Sequence, residues 1–161
     1  GLLQTEAYAR AVLSSSGLAQ PNEVEQQVTA RLARQQILFG ERPPMFMPVI
    51  DEIALRRPVG GVTVMREQLA HLCKLSEMPR IRLQVVPISA GAYAGLIGPF
   101  VIATPETGDE IAYLEGQVRG HVLDRPGDVS TLIQIWDNIR GFALSQQQSV
   151  ELIAEVEQTW S

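Results

Sequence analysis

IRLQVVPI, Ile81–Ile88, alternates apolar Ile81, Leu83 and Val85 with polar Arg82 and Gln84, then closes on Pro87. A period of two over this length predicts a strand with one wet face. Upstream, Thr63–Leu75 sets Met65, Leu69 and Leu72 on one stripe at helical spacing, which predicts a helix of about a dozen residues. Before that, Met45–Ile50 follows Pro43 and Pro44, which force an extended backbone, and contains Pro48, which confines a strand to an edge or a bulge. Strand, helix and strand in this order predict one βαβ unit, right-handed by the usual rule.

N-terminal to this unit, Thr5 is suited to cap a helix running to about Leu13, with Glu6 and Arg10 paired one turn apart. Ser14–Glu23 has loop composition. Val24, Val28, Leu32, Ile37 and Leu38 then recur at helical spacing from Glu23 to Phe39, and Gly40 ends that helix. C-terminal to the unit, a segment with Gly91, Gly95 and Gly98 leads to the strands Phe100–Thr104, Ile111–Glu115 and Val118–Leu123, an antiparallel run with a turn at ETGDE. Pro126 suits the first turn of a helix capped by Asp124, burying Val129, Leu132, Ile133, Trp136 and Ala143. A last helix opens on Ser145 and Gln148, spaced as a capping box, and buries Val150, Ile153 and Val156. The pattern predicts an α+β (α/β layered) fold: a mixed sheet of four or five strands packed against about five helices, in one domain over 1–161.

Composition narrows the function. With 161 residues, 45% of them apolar and 19% charged, the chain can bury a core without a disulfide or metal staple. A single cysteine, Cys73, excludes an internal disulfide and a two-thiolate zinc site. No apolar run reaches membrane-spanning length, so a cytoplasmic protein is expected. The net charge of −5 repels nucleic acid, which makes this stretch by itself a poor DNA reader.

No motif names a reaction. Asp51 and Glu52 are neighbours whose side chains diverge, so they do not form an acid pair; Glu52 and Arg56 instead make an i,i+4 bridge at a structural corner, with Arg56 and Arg57 also open to a partner. His71 and His121 lie on different elements with no HExxH or CxxC nearby, and Cys73 sits mid-helix. No GxSxG, Walker lysine or GxGxxG is present. Neither catalytic residues, nor a metal, nor a cofactor is expected. The glycine segment reads either as a connection between strands or as a lid over a pocket. In the second case Tyr93, Tyr113, Glu115 and His121 are the candidate ligand contacts. Trp160, in the last turn, is a candidate anchor for a dimer or partner.

Taken together, GLLQTEAYARAVL, RLARQQIL, VIDEIALRRPVGG, MREQLAHL, LQVVP, GPFVI and the late AL before QQQSVELI resemble one family over essentially the whole chain. It is the actinobacterial domain of unknown function found C-terminal to Xre-type helix-turn-helix modules, a group of antitoxin-like transcriptional regulators. The resemblance implies a dimeric regulatory or assembly domain, DNA contact through an upstream module, and a small partner protein. It carries over no catalytic residues. The alternative is a stand-alone domain of the same fold that binds or converts a small molecule.

Overall fold

A computed structural model describes residues 1–15, 17, 20–106, 108–116 and 119–160. It is an α+β structure, 55% helical. The elements in chain order are α1 (Glu6–Ser14), α2 (Pro21–Gln35), β1 (Val49–Asp51), α3 (Glu52–Arg56), α4 (Val62–Ser76), β2 (Gln84–Val86), β3 (Phe100–Ala103), β4 (Ile111–Leu114), β5 (His121–Leu123), α5 (Pro126–Phe142) and α6 (Gln146–Thr159). The chain forms two compact units, one of Gly1–Val85 with Leu144–Ser161 and one of Val86–Ala143. The five described strands are divided between a two-stranded parallel sheet, β1–β2, and a three-stranded antiparallel sheet, β3–β4–β5.

The first unit contains the predicted strand–helix–strand arrangement. Phe46 N donates to Arg80 O and Arg82 N to Phe46 O, each at 2.8 Å, so one residue bonds two positions two apart on its neighbour, as parallel pairing requires. Pro48 lacks an N–H, yet its carbonyl accepts from Gln84 N at 3.0 Å, and in a two-stranded sheet it stands on an edge. Ile81, Leu83 and Val85 are buried, as their alternation predicts. They join Leu69, Leu72 and Leu75 from α4 and Ile153 and Val156 from α6 in a single core, which α1 and α3 help to cover.

The helix ends follow local chemistry. Thr5 Oγ1 accepts from Tyr8 N at 3.2 Å, and Ser145 and Gln148 close the predicted capping box. Helix α2 starts at Pro21, inside the segment whose composition suggested a loop, because Gln20 and Glu23 form a capping box and Pro21 has a preset φ. Its end also differs. Residues Gln36–Leu38 tighten into a 3-10 turn, whose 120° step turns Ile37 outward, 56% exposed, while Leu38 stays buried.

In the second unit, β4 lies between β3 and β5, with Phe100 opposite Leu114 and Leu114 opposite His121. Helix α5 packs against β3 and β4, and a 3-10 turn at Ala94–Ile97 packs against α5. The N-cap of α5 is Arg125, not Asp124, and it makes no side-chain cap bond. Pro126 is the reason, since a residue preceding proline is held extended and so becomes the cap itself. Of the predicted stripe, Val129 is buried and Leu132, Ile133 and Trp136 are half-buried. The strand predicted from Val118 begins outside the described residues; β5 covers its end.

Candidate interaction surfaces

The corner at Val49–Gly61 is built by adjacent acids with separate tasks. Asp51 Oδ1 accepts from Ile53 N at 2.8 Å and caps the short α3. Glu52 is only 7% exposed, and its Oε1 accepts from Arg56 Nε at 2.7 Å. The predicted i,i+4 pair is therefore present, with its carboxylate buried and its guanidinium half in water. At the end of α3, Leu55 O accepts from the indole Nε1 of Trp160 at 3.3 Å, and the half-buried Trp160 ring packs on the core. Arg57 is exposed; its charge opposes the upward shift that burial gives the Tyr8 hydroxyl pKa.

Gly60 and Gly61 bring the chain from this corner into α4 with φ of 68° and 89°. At Gly60 a Cβ would meet that of Ala11 at 2.9 Å, so the loop passes against α1 too closely for a side chain. Beside this approach lies an open groove of about 590 Å³, with Glu6, Arg10, Ala11, Gly60, Val64 and Glu67 in its lining. Arg10 is held there by ion pairs to Glu6 and Glu25.

The four candidate ligand residues all belong to the second unit, where sheet register decides their directions. Val101, Tyr113 and Val122 are cross-strand partners and point to one face, joined there by Ala103 and Ile111. Ala112, fully buried, marks the opposite face, on which His121 falls through its pairing with Leu114. Tyr113 and His121 thus lie on opposite faces. Glu115 follows β4 and is exposed. Tyr93 is half-buried and its ring stacks on Phe142 with centroids 6.2 Å apart and a tilt of 45°. Gly120 makes room for the Tyr113 ring, since a Cβ there would collide with the phenol oxygen.

What Val101, Ile111, Tyr113 and Val122 share is exposure without charge. Val101 is 54% exposed, Ile111 38%, Tyr113 41% and Val122 65%, so the outer face of β3–β4–β5 is apolar and open. The sequence carries the signal, because FVIA is apolar at both alternating positions and HVL at all but His121, where a sheet with one wet face would be polar at every second position.

Elsewhere the polar groups are satisfied. Among the described residues no buried side-chain nitrogen or oxygen lacks a hydrogen-bond partner, and no three His, Cys, Asp or Glu side chains gather as a metal site. His71 is half-buried, which lowers its pKa, with Lys74 adding to the shift and Glu67 opposing it. Burial, then Glu157 and Glu77, raise the Cys73 thiol pKa. No helix among the described residues is long and apolar enough to cross a membrane.

The chain is thus an α+β protein whose described residues show structural ion pairs and an open apolar sheet face. It belongs to the family described as Domain of unknown function (DUF5753), which it matches over residues 1–155. No curated protein and no solved structure matches it.

Proposed function

We propose that this chain is the regulatory part of an Xre-type helix-turn-helix transcriptional regulator of the actinobacterial, antitoxin-like group. It dimerises and responds to a partner protein or ligand in the cytoplasm, while a module N-terminal to it contacts DNA. The observation that carries this reading is the uncharged, exposed outer face of β3–β4–β5 on a chain of net charge −5. Such a surface suits a protein partner and offers nothing to a phosphate backbone. The block-by-block resemblance supports the same reading. The exposed Arg56 and Arg57 at the α3 corner provide a second contact region, next to Glu52 and Trp160, which are engaged within the chain. No catalytic step is assigned to any residue.

The test compares two proteins, the natural protein of the source cell and this 161-residue chain. The natural protein is expected to be heavier by a helix-turn-helix module and to bind its own promoter DNA with a steep loss of affinity as salt rises, whereas the 161-residue chain leaves that DNA unbound. Retention of the DNA by the shorter chain, or a natural protein of the same mass, would end this reading. Sedimentation of the shorter chain tests dimerisation separately.

A further inference from the structure

The outer face of β3–β4–β5 has features that select its occupant. Its apolar row Val101–Tyr113–Val122 crosses all three strands and Ala103–Ile111 crosses β3 and β4, neither with a charged side chain. The two edge strands are guarded by their shortness alone: Phe100–Ala103 holds neither charge nor proline, and His121 is the one titratable residue in β5. Natural sheets commonly protect open edges with charges, prolines or covering segments, so apolar edges without these are places where another strand can add.

Area argues against a second copy of the chain here. Five small to medium side chains on one face offer a few hundred Å², the size of a functional patch on a monomer. A stable dimer needs roughly 800 Å² from each partner. An extended segment of a few residues, by contrast, is matched to strands of three and four residues.

Charge fixes the polarity of the occupant. The connection from β3 to β4, Thr104–Glu110, holds Glu106, Asp109 and Glu110 and no Lys, Arg or His. All three acids are exposed, and Glu110 accepts from Thr104 Oγ1 at 3.1 Å. With Asp124 and Arg125 following β5 at the same end, four acids stand there against one arginine, a net negative charge that favours a cationic group on whatever lies there.

We infer that this face binds an extended segment of a partner polypeptide, with apolar side chains at alternate positions and a lysine or arginine at the end that reaches Glu106, Asp109 and Glu110. The partner pairs with the β5 edge and sets its apolar side chains beside Val122, extending the row that Tyr113 and Val101 continue. This rests on the regulatory reading and names the partner's chemistry.

The experiment is a selection of random twelve-residue peptides displayed on phage against the full 161-residue chain, with counter-selection on Val122→Asp. Because Val122 is exposed, Val122→Thr serves as a second variant that keeps the branched shape, and circular dichroism checks that both fold. The expected result is enrichment of peptides with apolar residues at i, i+2 and i+4 and a basic terminus. Their affinity should fall at least tenfold in Val122→Asp, stay within about threefold in Val122→Thr, and fall severalfold in Asp109→Asn/Glu110→Gln at low salt. Three results would overturn the inference. They are the absence of peptides that distinguish the chain from Val122→Asp, enriched peptides with helical i, i+3, i+4 spacing or acidic ends, and a wild-type dimer that Val122→Asp converts to a monomer, which would make a second copy the occupant. None of these touches the promoter-binding test, so the regulatory reading and the peptide site can fail separately.

Discussion

At the residue scale, the chain depends on a few positions that admit one kind of side chain. Gly60 combines a φ of 68° with a close approach to Ala11 and Val64. Gly60→Ala must both enter the left-handed region and displace a helix side chain, and a loss of about 2 kcal/mol or more is expected in urea unfolding. A change under about 0.5 kcal/mol would show that the loop relaxes freely. Cys73 is the opposite case, a group kept quiet by its setting. Burial and the nearby Glu157 and Glu77 hold its thiol protonated, so alkylation by iodoacetamide at pH 8 is expected to run several-fold slower in the folded chain than in urea, and equal rates would contradict this. Pairs such as Glu6–Arg10 and Glu52–Arg56 were legible from sequence because both partners lie within one turn. That Glu52 is buried was not legible, since i,i+4 spacing does not say what packs over a helix.

At the element scale, long-range side-chain bonds hold the first unit together. Gln68, on α4, accepts from Thr5 N at 2.8 Å and donates to Leu3 O at 2.7 Å, tying the N-terminal segment to the core across 63 and 65 residues of sequence. Gln35 does the same from α2, donating to Gly1 O and Gln4 O. On α6, the fully buried Ser149 accepts from Val85 N at 2.9 Å and donates to Ser145 O at 2.8 Å. Ser149→Ala leaves the Val85 amide without this acceptor, and a loss of about 1–3 kcal/mol with little change in helix content is expected from thermal unfolding. Unchanged stability would mean that water or a neighbour replaces the hydroxyl. Helical periodicity located α4 and α6 correctly, but it scores Gln and Ser as solvent-facing and so missed the residues that join them.

At the scale of the whole molecule, charge and protonation set the conditions under which the chain holds together. The pKa of His71 is lower in the folded chain than its ordinary value of about 6.5. Between the two values the unfolded chain binds the extra proton. Stability from this group is therefore complete above pH of about 6.5 and lost as pH falls through the folded-state value. The midpoint of thermal unfolding is expected to fall between pH 7 and pH 5, and less steeply in His71→Gln. Parallel profiles for the two proteins would assign the fall to other groups.

The sequence by itself determined what depends on neighbours a few residues apart. That includes the caps at Thr5 and Ser145, the i,i+4 pairs, the stripes of α4 and α6, the alternation at Ile81–Val85 and the α+β class. Tertiary structure alone decided three further matters. It divided the five strands into two sheets, because register and partner choice involve residues far apart in sequence. It gave Gln35, Gln68 and Ser149 their long-range backbone partners, 31 to 65 residues away. It also chose which apolar face of β3–β4–β5 would be covered. Phe100–Ala103 and His121–Leu123 are apolar on both faces or nearly so, and only the packing of α5 on the Ala112 side leaves Val101, Tyr113 and Val122 in water.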